Sequence, residues 1–489
     1  MNKHVLFLLA GIAIMPAGCT MAPKYARPAA PIPAEWPSGP AYSEVRGATQ
    51  VSDVQDLHWR EFFADKKLQQ VIGTALTNNR DLRVAALNVE QARALYGVQR
   101  AELYPAVAAT GSLSKERIPA NVEGFPEPVT IKNYSVDLGV ASWEIDFFGR
   151  IRSLKDRALV EYMATEQARR SAQILLVSSA ANAYLALAAD RENLKLSETT
   201  LEAQQAAYVL VKRRYELGLA TELDLFRAQT PVDAARRDVA LYTQQVAKDE
   251  NALDLLVGAP TASELLPTEL SAVTPPKEIS AGVSSVVLLR RPDVLEAENL
   301  LRAANADIGA ARAAFFPQIS LTAAIGTASS DLSGLFKSGS GMWSYAPQIV
   351  MPIFDARTWS AYKAAKVQRE IAVTQYEKAI QSAFREVADA LAVRGTVDQE
   401  VSAQQSLVNA SAETYRLANS RYEKGIDSYL GVLDAQRSLF AAQQALVLLR
   451  LEKAASQVRL YAALGGGWQT QQSASATAES DSSLEGSRN

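Results

Sequence analysis

The feature that most constrains this chain is that it is written twice. Asp81 through Pro105 recurs as Asp293 through Pro317 at a constant offset of 212. Identities at that offset include Asp81/Asp293, Ala85/Ala297, Ala92/Ala304, Gly97/Gly309, Arg100/Arg312 and Pro105/Pro317. A second block is stronger. Arg214-Tyr215-Glu216-Leu217-Gly218 matches Arg421-Tyr422-Glu423-Lys424-Gly425 at offset 207, and Ala228-Gln229 and Val257-Gly258 match Ala435-Gln436 and Leu464-Gly465. Each copy, on the order of 200 residues, is one structural unit, so whatever is inferred for one must be sought in the other.

Both copies run in the same order. A helix over about 66–104, and again over 292–316, ends at a Pro; two short alternating segments follow; then come a long helical stretch, a Gly-centred turn and a helix back. From Arg150 to Leu217 there is neither Gly nor Pro. A continuous helix of that length extends on the order of 100 Å, and it cannot persist alone in water, so it must bury a stripe against neighbours. Ile174, Leu175, Ala181, Tyr184, Leu185 and Leu187 recur at coiled-coil-like intervals.

Between Pro105 and Gly149 the period changes from helical to two. Tyr134, Val136, Leu138 and Val140 alternate with Ser135, Asp137, Gly139 and Ala141, and Ile319, Leu321, Ala323 and Ile325 do the same with Ser320, Thr322 and Ala324. Such alternation predicts strands with one apolar and one polar face, one hairpin per copy. Two architectures satisfy it: membrane strands, or a small soluble sandwich with one wet face. If the strands span a membrane, four of them cannot close a barrel and open edges are not tolerated in lipid, so several copies must assemble.

Net charge is only −3, with no long basic cluster, which gives no attraction for nucleic acid. Cys19 is the only cysteine, and His4 and His58 are the only histidines. A disulfide framework, a zinc site and a Cys-His nucleophile pair therefore lack material; carboxylate chemistry, as in a lipid-anchored hydrolase, stays open. Lys3 precedes an apolar run, Val5 to Met15, too short to span a bilayer but suited to a secretory signal peptide. It ends Pro16-Ala17-Gly18-Cys19, which resembles a lipobox whose cysteine is acylated, although Pro16 stands where Leu is usual. Thr20 lacks the Asp that typically retains lipoproteins at the inner membrane. A plain signal peptide with an incidental cysteine is the alternative; either way the chain is exported. Met21 to about Tyr42 carries Pro23, Pro28, Pro31, Pro33, Pro37 and Pro40 and reads as an extended tether.

These features in this order resemble the TolC-like outer-membrane efflux family, and among its members the lipoprotein exit ducts of resistance-nodulation-division (RND) multidrug pumps. The strings that carry the resemblance are Trp143-Glu144-Ile145-Asp146-Phe147-Phe148-Gly149-Arg150, Arg290-Arg291-Pro292-Asp293, Ala306 through Pro317, Pro352-Ile353-Phe354 and Tyr461 through Gly467. The resemblance implies a mainly α fold with a membrane β-barrel: a homotrimer with twelve strands in one barrel and a periplasmic α-barrel of long helical hairpins. It further implies a passive duct that is not an enzyme and needs no cofactor, joined by a periplasmic adaptor (membrane fusion) protein to an inner-membrane RND transporter, with outer-membrane lipid around it. The expected organisation is a signal peptide over 1–18, a lipid-anchored tether over 19–60, a first repeat over 61–270, a second over 271–467 and a disordered tail over 468–489. The strand hairpins fall near 106–148 and 318–355, and the helical tips near 218 and 425. The rival from another class is a periplasmic lipoprotein adaptor or coiled-coil structural protein, which would carry a single coiled-coil insertion between compact β domains.

Gly218 and Gly425 each end a long helix, where a left-handed residue is needed, and Thr221 and Ser428 stand three residues on, where a hydroxyl can cap the returning helix. The turns require nothing more. The resemblance adds that adaptor hairpins meet them, which marks Arg214, Gly218, Thr221, Arg421, Gly425 and Ser428 as the expected docking surface. Leu430 and Asp434 lie one helical turn apart; taken alone they read as a packing residue and a solvated charge. By resemblance they line the periplasmic constriction, while Asp224 and Tyr422 occupy positions that hold neighbouring helices near the closed tip. Gly431 stands where relatives carry a second acid. Cys19 is the expected lipidation site.

Overall fold

The computed structural model describes residues 20–42, 57–121, 126–279 and 284–468. The signal peptide expected over 1–18, Cys19 and all of the expected tail beyond Trp468 lie outside the described residues. The chain forms two compact units. One gathers the described residues through Ala29, Asn88–Glu166 and Glu296–Tyr376; the other gathers Ala30–Leu87, Gln167–Leu295 and the described chain from Glu377 on.

The principal elements are α1 (Lys66–Asn78), α2 (Arg80–Ala101), β1 (Val107–Ile118), β2 (Val129–Glu144), α3 (Arg150–Glu216), α4 (Glu222–Val257), α5 (Pro292–Ala313), β3 (Gln318–Ser329), β4 (Gly341–Val350), α6 (Ala356–Glu423) and α7 (Tyr429–Ala463). The Gly- and Pro-free run is one helix of 67 residues, and its counterpart α6 has 68. The helix expected over 66–104 is instead two. Asn79 leaves the helical region (ψ 133°), and its Oδ1 accepts the Leu82 N–H at 2.9 Å while its amide donates to the Leu256 carbonyl at 2.9 Å. Gly258, at φ +75°, lies against the break: a Cβ there would sit 2.6 Å from the Asn78 carbonyl oxygen. α2 also stops at Ala101 rather than 104. The residues before Pro105 tighten into three-residue turns, Leu103 to Arg100 and Tyr104 to Ala101, because a proline disfavours helix in its predecessor.

In the first unit the strands form one antiparallel sheet ordered β1-β2-β3-β4. Leu138 faces Ala109 and Ile325, Val140 faces Val107 and Ala323, and Ile325 faces Trp343. Since cross-strand partners share a face, these rows make one apolar side. The opposite side carries rows such as Thr110-Asp137-Gly326-Met342 and Ser112-Ser135-Ala328. The simple alternation fails at one place. Between Val140 and Trp143 the register shifts, with Ser142 at φ +53°, so Ala141 and Ser142 together oppose Thr322. That bulge reverses the parity of β2 and keeps Trp143 on the apolar side, opposite Leu321.

The family-like strings become turn chemistry. Glu144 takes both ends of the Arg150 guanidinium at 2.9 and 2.7 Å, Asp146 accepts the Arg152 N–H at 2.9 Å, and Gly149 turns at φ +75° into α3. In the second unit Pro292 opens α5, and the buried Arg291 is held by Asp293 (2.7 Å), Glu386 (2.9 Å) and the Ala463 carbonyl (2.6 Å). Tyr461 stacks on Phe62 with ring centroids 4.0 Å apart and donates to the Leu57 carbonyl at 2.6 Å. Gly466 is needed there, since a Cβ would enter the Tyr461 ring at 2.3 Å.

The Pro-rich segment is extended, as its composition requires, yet it does not hang free. In the first unit Asn305 donates to the Pro23 carbonyl at 2.7 Å, and Glu298, only 2 % exposed at its side chain, is gripped by Arg27, Arg302 and Tyr25. Burial alone would push the Glu298 carboxyl up; the two guanidinium bonds outweigh it and hold the group below the usual range. In the second unit Ser285 donates to the Pro33 carbonyl at 2.6 Å, and Trp36 stacks on Phe384.

Candidate functional site: the two helical tips

Both tips lie in the second unit and are built alike. α3 ends with the Gly218 N–H donating to Tyr215 (2.9 Å) and the Leu219 N–H donating to Arg214 (2.8 Å). α6 ends with Gly425 to Tyr422 (2.9 Å) and Ile426 to Arg421 (2.9 Å). Each is a Schellman closure, and each glycine stands at φ +71° with open space around its missing Cβ. Gly218 and Gly425 therefore serve conformation, and they leave bare backbone at the turn.

Beyond the turns the copies diverge. Thr221 caps α4 within a full capping box: its hydroxyl accepts the Asp224 N–H at 3.2 Å, and the Asp224 carboxylate accepts from the Thr221 N–H at 3.1 Å and hydroxyl at 2.7 Å. Those bonds hold the Asp224 carboxyl below the ordinary range. Ser428 occupies the same position before α7, but its hydroxyl makes no capping bond, contrary to the expectation. The N–H that would meet it, on Gly431, donates to the Ser428 carbonyl at 3.3 Å instead, and Gly431, the repeat partner of Asp224, has no reciprocal acid.

The arginines diverge too. Arg214 crosses from α3 to α6, donating to the Tyr422 hydroxyl at 3.0 Å with its guanidinium 5.6 Å from the ring centre. Its partner in the repeat, Arg421, stays within its own turn and pairs with Asp427 at 2.5 Å, which holds the Asp427 carboxyl low. The first copy has Ala220 at the position of Asp427, leaving Arg214 free to reach across. Tyr422 also packs on Tyr429, 5.0 Å between centroids, and burial, with Tyr422 and Tyr415 adding to it, pushes the Tyr429 hydroxyl up to about 12.

Leu430 and Asp434 are both exposed on one side of α7, while Val432, Leu433, Ala435 and Gln436 are buried on the other. Asp434 approaches Arg437 at 3.5 Å. The repeat partner of Asp434 is Arg227 on α4, so the two returning helices carry opposite charges at matched places. A crevice of about 260 Å³ lies between them, lined by Arg227, Pro231, Leu430, Leu433, Arg437 and Phe440. Pro231 sits inside α4 and deprives the Arg227 carbonyl of its helical donor. Several residues here escaped the sequence reading: Leu217, Leu219, Leu223, Phe226 and Ile426 are all large, apolar and exposed around the turns. The available signal was apolar side chains on both sides of a turn glycine, where a merely solvated turn would be polar.

Outer membrane efflux protein is the description of a family that matches this chain twice, over residues 71–259 and again over 283–466. The chain belongs to that family. The toluene efflux pump outer membrane protein TtgC of Pseudomonas putida is 50 % identical to it over 473 residues, covering 96 % of this chain and 97 % of the relative. The cation efflux system protein CusC of Escherichia coli is 41 % identical over 463 residues, covering 94 % and 98 %. A solved membrane protein of Pseudomonas aeruginosa superposes with a TM-score of 0.85 at 40 % identity, covering 92 % of this chain and 98 % of that one. This efflux protein is thus an outer-membrane channel component of an efflux pump, mainly helical, internally duplicated, with four antiparallel strands among its described residues. The duplicated order of strand hairpin and helical hairpin is that of the channel and leaves no place for the adaptor alternative.

Proposed function

We propose that three copies of this chain close a twelve-stranded barrel in the outer membrane and continue it as a periplasmic helical duct, a passive conduit with no chemistry of its own. The observation that carries this is the sheet. It has four strands, its apolar side bears exposed Leu138, Ile325, Trp343 and Tyr345, and among the described residues neither β1 nor β4 has a partner on its outer edge. Such edges are tolerated in lipid only when further strands cover them. In this reading acylated Cys19 anchors each copy in outer-membrane lipid through the extended segment that follows.

The tips are the proposed docking surface for a periplasmic adaptor, which links the duct to an inner-membrane RND transporter. Arg214, Gly218, Thr221, Arg421, Gly425 and Ser428 supply bare backbone and small or cationic groups, and exposed Leu217, Leu219 and Ile426 supply apolar contact. Leu430 and Asp434 form the proposed constriction as a leucine ring and a carboxylate ring, which in a narrow pore favours cations. Arg214 on Tyr422 ties the α3 and α6 tips together, and Asp224 stiffens the start of α4. A duct that serves relatives named for toluene and for a cation reads its cargo little, so small-molecule selectivity is assigned to the inner-membrane partner.

Planar-bilayer recording of the purified protein, with its mass measured natively, tests the proposal. A three-copy particle with a cation-selective conductance is expected, and Asp434→Ala should raise that conductance and lower the selectivity. A monomeric particle would overturn the barrel; an unchanged conductance and selectivity in the variant would overturn the gate.

A further inference from the structure

We infer that one acyl chain on Cys19 starts along a groove supplied by the same chain before entering outer-membrane lipid, the groove being lined by Met21, Arg312, Phe315, Phe316, Trp359 and Tyr362. The inference rests on the proposed acylation of Cys19. The groove has a volume of about 260 Å³ and belongs to the first unit, where the end of α5 meets the start of α6. Its walls are rigid by construction. Phe315 makes edge contacts with Trp359 (4.9 Å, 72°) and with Tyr362 (5.9 Å, 87°), and Phe148 stacks on Phe316 at 4.9 Å. Its mouth is nevertheless open, for Trp359 is 66 % and Phe316 40 % exposed. Large aromatics left open in this way signal something that covers them.

The path of the chain says what that occupant is. Thr20 is the first described residue, and Met21 already lines the groove. Two residues of chain span at most about 7 Å, so a lipid carried by residue 19 starts at the groove's edge. The exit is fixed, not free. Arg312 donates to the Met21 carbonyl at 3.3 Å, Asn305 to the Pro23 carbonyl at 2.7 Å, and the Ala22 N–H to the Thr20 hydroxyl at 3.2 Å. Gly309 permits this approach: a Cβ there would lie 2.7 Å from the Ala22 nitrogen, whereas Gly97, its partner in the repeat, has nothing within 4 Å. The glycine in copy two thus makes room for a strand of chain that copy one does not have.

Cations stand beside the aromatic surface of the groove. The Arg312 guanidinium and the Lys366 ammonium each stand 5.8 Å from the Tyr362 ring centre, with the aromatic surface beside them. Cations at headgroup level next to Trp and Tyr form the arrangement found at membrane interfaces. A tethered ligand also reaches its site at high effective concentration.

The test places the photocrosslinker p-benzoylphenylalanine at position 359 of the full-length protein in its native membrane. A second variant carries it at 362 in case the first assembles poorly, and a third carries it at exposed position 407 as reference. After irradiation, boiling and separation, the monomer band is digested with trypsin. At least tenfold more of the Thr358–Lys363 peptide joined to the acylated Cys19–Lys24 peptide is expected from 359 or 362 than the corresponding adduct from 407. Joining to free phospholipid, joining only within a covalent dimer, or yields equal to those at 407 would overturn the inference. The Cys19–Lys24 peptide from unirradiated protein separates the two failures. If it carries no acyl group, the anchor reading itself falls; if it is acylated but unjoined, only the groove does.

Discussion

At the scale of single residues, the duplicated tips show how much one substitution changes. Thr221 and Ser428 hold the same place before a returning helix, and both would be read as caps from sequence. Only Thr221 caps: Asp224 answers it with both N–H and carboxylate, whereas the Gly431 N–H goes to the Ser428 carbonyl and Gly431 has no carboxylate to return. Removing a capping side chain costs about 1 kcal/mol, so Thr221→Ala should speed amide exchange over the first turn of α4 by roughly fivefold. Ser428→Ala should leave the first turn of α7 within about twofold of wild type. Equal effects at both tips would show that the hydroxyls act alike and that Gly431 is irrelevant. The same logic separates Arg214 from Arg421: Asp427 keeps one at home, and Ala220 releases the other to Tyr422.

At the scale of elements, the pairing of α3 with α4 contains a titratable contact. Asp190 on α3 neighbours the Asp249 carboxyl on α4, and burial, followed by that neighbour, pushes Asp190 up to about 7. Asn193, itself buried, faces it from α3, and Gln245 donates to Asp249 Oδ1 at 3.0 Å. Tyr242, whose hydroxyl is pushed up by burial and by Asp190 and Asp238, completes the surroundings on α4. A carboxyl with a raised folded-state pKa keeps its proton where the unfolded chain has lost it. Its contribution to stability is full below the ordinary carboxylate range and falls as pH rises toward 7. Exchange-measured protection of the amides around 186–194 should therefore decrease from pH 5 to pH 8, after correction for intrinsic rates, and Asp190→Asn should flatten that slope. A slope that survives the substitution would assign the pH response to another group.

At the scale of the whole molecule, the proposed barrel gives the two sides of the sheet different duties. Leu138 is exposed on the apolar side between Ala109 and Ile325, while Thr110 stands on the side of Asp137 and Gly326. In a lipid-facing barrel an Arg near the midplane costs roughly 2–4 kcal/mol, whereas a lumen substitution tunes selectivity. Leu138→Arg should abolish the heat-modifiable, outer-membrane form on gels. Thr110→Arg should retain that form and lower cation selectivity in bilayer recordings. The reverse pattern would mean that the apolar side faces the lumen.

The sequence by itself determined the duplication, the long helices, the two Gly-centred tips and the existence of two alternating hairpins. Each is a local signal: a period of 3.6 or 2, a run without Gly or Pro, a glycine that must turn left-handed. These survive translation into structure because neighbours along the chain enforce them. The tertiary structure decided the rest. The break at Asn79 depends on the Leu256 carbonyl, the parity reversal at Ala141 and Ser142 on β3, and the docking of the Pro-rich segment on Glu298 and Asn305. The reach of Arg214 to Tyr422 and the Asp190–Asp249 contact likewise need a partner on another helix. No period along the chain encodes a partner dozens to hundreds of residues away; such a contact exists only once packing has brought two surfaces together, and there the two copies of one sequence unit became different.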